Sequence, residues 1–183
     1  MRQTGSGSWV CLALLGLGAC SSPSAPPAEG SIQITWTNGC STSPATISGP
    51  GGLPSGNKVG PEQTVLDGRD GYSVGCTVTQ TGSTYSISAS ISLPNTISLT
   101  VDASGVSTTG GKATMSFFSP QSVNTWTSPA GGCTLTTKST TEGLTIMPGS
   151  IWATYSCPGV STPSQYGSSC DTSGVIVFTG CNK

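Results

Sequence analysis

The chain has 183 residues, of which 7% are charged, and its formal net charge is -1. In a typical globular domain about a quarter of the residues are charged, so this fraction is low. Disordered chains, however, combine low hydrophobicity with a high net charge. Because the net charge here is small, the length and composition predict one folded domain. The composition argues against nucleic-acid binding, because the few lysines and arginines are scattered singly along the sequence and form no positively charged stripe that could follow a phosphate backbone.

Residues 1–19 are typical of a secretory signal peptide. Arg2 gives a positive start, an apolar run extends from Trp9 to Gly18, and Ala19 is a small residue before a cleavage point. A helix of that run would reach roughly 15 Å, half of the about 30 Å hydrocarbon core of a bilayer. The segment is therefore predicted to be a leader and not a membrane-spanning helix.

Leu17, Gly18, Ala19 and Cys20 resemble the lipobox of bacterial lipoproteins, in which a leucine and two small residues precede a cysteine. The resemblance covers the leader alone. It implies cleavage before Cys20, diacylglycerol on its sulfur and usually a third acyl chain on the new amine. Two or three chains anchor a protein stably, whereas one is marginal. The alternative is an ordinary secretory leader with a chance cysteine.

Residues 20–30 are predicted to form a tether, because after Cys20 they are small, polar and rich in proline. Ser21 rather than aspartate follows the cysteine, and in Gram-negative lipoproteins this implies the outer membrane. A single domain is expected over residues 31–183.

Alternation of apolar and polar residues, the pattern of half-buried strands, recurs along this domain. It is clearest from Tyr85 to Leu93, and after a turn at Pro94-Asn95 it continues from Ile97 to Val101. The other predicted strands are Ile32–Trp36, Tyr72–Val78, Ala113–Phe117, 132–137, 150–157 and Val175–Val177. These short strands, separated by Gly and Pro, predict an all-β fold, an antiparallel β-sandwich. A closed β-barrel is the alternative, since the pattern does not show whether the sheet edges meet.

Six cysteines remain beside Cys11 in the leader and Cys20 at the anchor, and an even number in an exported chain predicts disulfides. They are Cys40, Cys76, Cys133, Cys157, Cys170 and Cys181. Zinc is disfavoured because the chain has no histidine and no C-x-x-C pair.

Cys76 shares a strand face with apolar residues and Cys181 ends the last strand, so both thiols are expected to point inward and to pair. Cys157 and Cys170 flank a loop of Pro, Gly and Ser, which favours a bond between them and leaves Cys40 with Cys133. Sequence alone leaves the remaining pairings open.

A second resemblance rests on Val65-Leu66-Asp67-Gly68, then Val74 and Cys76, and a terminal strand ending at Cys181. These residues resemble the LpqH-like lipoprotein antigens of mycobacteria, although the domain has four more cysteines than that pattern requires. The resemblance implies a surface antigen or adhesin-like role without catalysis.

The densest polar cluster is Asp67-Gly68-Arg69-Asp70-Gly71. Its two aspartates could offer oxygens to Ca²⁺, but Asp-Gly between two apolar runs favours a plain turn. No metal and no cofactor are expected.

Catalytic groups are scarce. Without histidine, Ser-His-Asp and Cys-His arrangements are excluded, and a Ser-Lys dyad would need Lys58, Lys112 or Lys138. A carboxylate-based hydrolase, the weaker alternative, would draw on six isolated acids. They are Glu62, Asp67, Asp70, Asp102, Glu142 and Asp171. A simpler explanation is that these acidic residues lie on the surface and keep the protein soluble. The chain is therefore predicted not to be an enzyme.

Aromatic side chains suggest another function, a carbohydrate-binding module whose rings stack on sugars. Trp126 and Tyr166, both in loop-rich segments, are the candidate ligand-binding residues. Trp36 alternates in phase with buried positions, so it is expected in the core. Trp152 and Tyr155 lie on opposite strand faces, so one of them is expected to reach solvent. The first interpretation remains a lipid-anchored, non-enzymatic domain on a bacterial envelope, with a glycan or protein partner or a structural role.

Overall fold

The structure is a computed structural model that describes residues 26–38, 44–53, 62–118, 125–137, 144–162 and 169–182. These residues form an all-β structure without a helix. The described strands are β1 (Glu29–Thr37), β2 (Ala45–Ile47), β3 (Val65–Leu66), β4 (Ser73–Thr81), β5 (Thr84–Leu93), β6 (Ile97–Val106), β7 (Gly110–Phe118), β8 (Trp126–Thr127), β9 (Cys133–Thr136), β10 (Thr145–Met147), β11 (Ser150–Ser161) and β12 (Ser169–Thr179).

Every alternating run of the sequence forms a strand, which confirms the all-β prediction. In β5 the residues from Tyr85 to Ile91 alternate between buried apolar positions and exposed serines. β1 begins at Glu29, two residues before the expected domain start at Ser31. The strands that the pattern did not predict are β2, β3, β8 and β10. They have two or three residues each, too few for a period of two to be recognised.

The described strands pair antiparallel in one continuous sheet with the order β2-β1-β12-β11-β8-β7-β6-β5-β4. The sheet folds back on itself, so that its halves pack face to face as in a β-sandwich. A side chain added at Gly30 of β1 would lie 3.1 Å from Ile91 of β5, and the rings of Trp36 in β1 and Phe117 in β7 are 5.7 Å apart. The predicted layers are thus two halves of one sheet, joined through β8 and β9.

One apolar core fills the space between the halves, and its largest fully buried side chains include Phe117 and Phe178. A second, smaller cluster lies on the opposite face of β11 and β12, where Leu144, Trp152 and Val177 pack together. Because strand side chains alternate between faces, these two strands are buried on both sides.

Cys76 and Cys181 form a disulfide across 105 residues, as predicted. The second disulfide joins Cys133 to Cys157, so the predicted bonds of Cys157 with Cys170 and of Cys40 with Cys133 are wrong. The reason is strand pairing: β9 lies beside β11 with Thr134 opposite Ser156, which brings the Cα atoms of the two cysteines to 4.1 Å. Cys170 is also disulfide-bonded. Cys40 lies outside the described residues.

Candidate functional site

Trp126, the first candidate for sugar stacking, is a core residue. It lies opposite Phe117 in the β7–β8 pair, and this register turns its ring to the inner face, 5.8 Å from the ring of Trp36. Only 6% of Trp126 is exposed, so the prediction that it is the exposed tryptophan is wrong. Trp36 is buried, as predicted. The other candidate, Tyr166, lies outside the described residues.

Trp152 and Tyr155 are both buried, at 5% and 3% exposure, so the prediction that one of them reaches solvent is wrong. They do lie on opposite faces of β11, but the second apolar cluster covers Trp152. Tyr155 points into the main core and donates a hydrogen bond from its hydroxyl to the Gln33 carbonyl oxygen at 3.1 Å. Burial raises the pKa of this hydroxyl well above its ordinary value. Neither ring can stack on an external sugar.

The 67–71 segment is a turn, as the Asp-Gly pair predicted. The amide of Gly68 donates to the Tyr72 carbonyl oxygen at 2.9 Å, and a carboxylate oxygen of Asp67 accepts from the Val74 amide at 2.9 Å. Asp70 has a φ of 53° and forms an exposed ion pair with Arg69 at 3.6 Å. Asp67 therefore ties the turn to β4, whereas Asp70 forms only an exposed ion pair. The described residues contain no group of three potential metal ligands.

Two of the other candidate acids accept hydrogen bonds from nearby polar groups. Asp102 accepts a hydrogen bond from the Ser88 hydroxyl at 2.9 Å on the outer face of the sheet. Asp171 accepts from the Asn38 side chain at 2.7 Å and from the Gly159 amide at 2.9 Å. These two hydrogen bonds, with Asn38 the larger cause, hold the pKa of Asp171 below its usual value. Glu142 lies outside the described residues.

Of the three candidate lysines, Lys112 is described. Its ammonium group donates to the Thr134 hydroxyl at 2.9 Å on the exposed surface. Lys58 and Lys138 lie outside the described residues. The observed contact is a polar surface contact between β7 and β9.

A cleft of about 690 Å³ opens beside the Asp67 turn. Val65, Leu66, Tyr72 and Pro50 supply apolar surface, and three charged side chains belong to its lining. They are Glu62, Arg69 and Asp70. Apolar surface with a few polar groups is the usual composition of a binding site, so the cleft can hold a small molecule or a short segment of a partner.

The cleft depends on two segments that the sequence did not single out. Gly49 donates its amide to the Gln63 carbonyl oxygen at 3.1 Å, and Gly51 donates to that of Glu62 at 2.8 Å. A side chain at Gly49 would overlap the Glu62 carbonyl oxygen. Gly49 therefore allows this close approach, and the Gly-Pro-Gly-Gly sequence at 49–52 was the available signal.

The chain matches no protein-family model, no curated protein and no solved structure. Among the residues that the structure describes, no helix is long and apolar enough to cross a membrane.

Proposed function

We propose that the chain is a bacterial envelope lipoprotein, cut before Cys20 and held to a membrane by acyl chains on that residue. The observation that carries the proposal is the sequence Leu17-Gly18-Ala19-Cys20 directly after an apolar run. A thiol is the side chain nucleophilic enough to accept the diacylglycerol. The Pro- and Ser-rich stretch that follows suits a linker between bilayer and domain.

The disulfides support an exported location. Such bonds persist in oxidising compartments and are rare in the cytosol. Two of them, Cys76–Cys181 and Cys133–Cys157, link segments 105 and 24 residues apart in the sequence. A chain with this many cross-links fits the cell envelope better than the cytosol.

The role we propose for the domain is interaction or structure at the envelope, without catalysis. In support, the chain has no histidine, and Asp67, Asp102 and Asp171 accept hydrogen bonds from neighbouring groups in the fold. With Trp126 buried, no specific observation favours sugar stacking.

The cleft is the surface that we assign to this interaction. The amide of Asp67 in the adjoining turn donates to the Ala28 carbonyl oxygen at 2.9 Å, which places the turn beside the point where the tether enters β1. The eight residue steps from Cys20 to Ala28 span at most about 28 Å. We therefore propose that the cleft binds a partner held close to the bilayer surface.

Mass spectrometry of the protein purified from a bacterial host tests the anchor. We expect the mature N-terminus at Cys20 with acyl mass added, and partition into detergent. A Cys20→Ser variant should lose both properties. Cys11→Ser is the matched control, because that residue lies in the leader, and it should leave acylation unchanged. A wild-type protein with unmodified Cys20, or acylation that persists in Cys20→Ser, would contradict the proposal.

A further inference from the structure

β4 is the last strand in the sheet order, and its own sequence does not protect it as an edge. Edge strands usually avoid pairing with other molecules by being short or by having charged residues, proline or a bulge. β4 has nine residues, Ser73 to Thr81, with no charge and no proline. Its pairing with β5 runs without a register shift. Protection must therefore come from elsewhere in the chain.

The free edge of β4 can be identified from its pairing with β5. Thr81 and Thr84 flank a two-residue turn and form the first pair of the ladder. In an antiparallel ladder, alternate residues bond to the partner strand, so Val74, Cys76 and Val78 present their backbone groups to the opposite side. These are the groups that a second strand would bond.

Each of these three residues has one edge group occupied by a different part of the chain. The Val74 amide donates to the Asp67 carboxylate at 2.9 Å. The Cys76 carbonyl oxygen accepts from the Asn182 amide at 3.0 Å, and the Val78 carbonyl oxygen accepts from the Gly149 amide at 2.9 Å.

The segment 180–182, which we term the C-terminal cover, is fixed at this edge by further contacts. Asn182 forms a parallel bridge with Thr77, and the Cys181 amide donates to the Gly149 carbonyl oxygen at 3.0 Å. The disulfide between Cys181 and Cys76 ties the cover to β4 covalently. Release of this bond would remove the covalent link and leave the cover attached to β4 and to Gly149 through the hydrogen bonds of Asn182 and Cys181.

We propose that the Cys76–Cys181 disulfide controls self-association of the chain through the β4 edge. A dithiol reductant supplies two electrons and two protons, the S–S bond opens to two thiols, and the reductant becomes a disulfide. The C-terminal cover then leaves the edge, the Asp67 carboxylate and the Gly149 amide give up their hydrogen bonds to Val74 and Val78, and β4 pairs antiparallel with β4 of a second copy about a twofold axis.

A second copy suits this edge because β4 has no charge, so two such strands side by side experience no like-charge repulsion. Val74, Cys76 and Val78 are buried on one face, whereas Gly75 and Thr77 are exposed on the other. Antiparallel pairing in register keeps apolar residues on one face of the joined sheet. Of the two disulfides described at both ends, Cys76–Cys181 is the more accessible to reductant, since Cys76 and Cys181 are 6% and 5% exposed, whereas Cys133 and Cys157 are fully buried.

The test uses residues 20–183 with Cys20→Ser, which keeps every described residue. The protein is treated with dithiothreitol without denaturant, its free thiols are identified by alkylation and mass spectrometry, and its mass is measured by sedimentation. We expect Cys76 and Cys181 to be alkylated before Cys133 and Cys157, and the mass to rise with concentration toward about twice the monomer value. Any of three results would overturn the proposal: the disulfide does not open, the protein unfolds when it opens, or the protein stays a folded monomer with both thiols free.

Two variants test the edge itself. Cys76→Ser combined with Cys181→Ser should associate without reductant, and it cannot form an intermolecular disulfide through these positions. Adding Thr77→Lys, an exposed position of β4, should restore the monomer, because lysines would face one another across the twofold axis. Association that survives Thr77→Lys, or a double serine variant that is monomeric or unfolded by circular dichroism, contradicts the assignment.

Discussion

Replacing Trp126 with alanine should destabilise the domain by about 3–5 kcal/mol, the usual cost of removing a buried tryptophan side chain. Trp126 is 6% exposed and lies 5.8 Å from Trp36, centroid to centroid, so its removal leaves a cavity inside the core. Among the residues that the structure describes, the indole nitrogen of Trp126 has no hydrogen-bond partner. The loss of stability therefore comes from packing and not from a broken hydrogen bond.

Trp126→Phe is the matched comparison, because it keeps an aromatic ring and removes the buried N–H group. An unpaired buried donor costs about 1–3 kcal/mol, and its removal should offset much of the lost contact area. We expect Trp126→Phe to stay within about 1.5 kcal/mol of the wild type. The assay is urea unfolding followed by far-ultraviolet circular dichroism. A Trp126→Ala change below about 0.5 kcal/mol, typical of surface positions, would show that the ring is exposed and would refute the reasoning.

Gly174→Ala should cost near the upper end of the about 1–3 kcal/mol typical of overpacking, because its Cβ would overlap the Gln33 carbonyl oxygen of β1. Gly75→Ala in β4 is the control, since its Cβ would lie 3.5 Å from the Ser90 hydroxyl, an ordinary contact. Equal urea midpoints for the two variants would disprove the argument. Asp171 has a folded-state pKa below its unfolded value, so its stabilising effect is present above the unfolded pKa and is lost as pH falls through the folded pKa. Asp171→Asn and Asn38→Ala should therefore flatten the acid side of the stability curve, and an unchanged pH dependence would count against the hydrogen bond as the cause.

The strands and their inner faces could be predicted because a period of two is a local signal. Tyr85 to Leu93 alternates so regularly that one residue shows the orientation of all the others. The pairing of Cys76 with Cys181 was predicted correctly, but the face assigned to Cys181 was wrong: Val175 and Val177 belong to the second apolar cluster, whereas Cys181 lies beyond the end of β12 and packs in the main core. Where alternation extends over five or more residues, the sequence determines which side is buried.

The residues whose positions or partners were predicted wrongly depend on contacts between segments that are distant in the chain. Trp126 lies in a two-residue strand, and only its register with Phe117 turns the ring inward. Trp152 has an outward position on β11 that a second apolar cluster covers. The Cys133–Cys157 bond requires β9 to lie beside β11, whereas loop composition favoured another partner. Periodicity does not contain this information.

The distribution of polar groups also bears on where a partner would bind. The outer face of β5 and β6 consists of exposed Ser88, Ser90 and Thr100 around Asp102, and such small hydroxyl groups offer little apolar area to bury. Interfaces gain most of their energy from aromatic and arginine side chains in partly enclosed positions. In the described part of the chain, the cleft combines the half-buried Tyr72 with apolar walls, and the exposed Arg69 also belongs to its lining. Recognition should therefore depend on this end of the domain, and substitutions on the hydroxyl face should leave it unaffected.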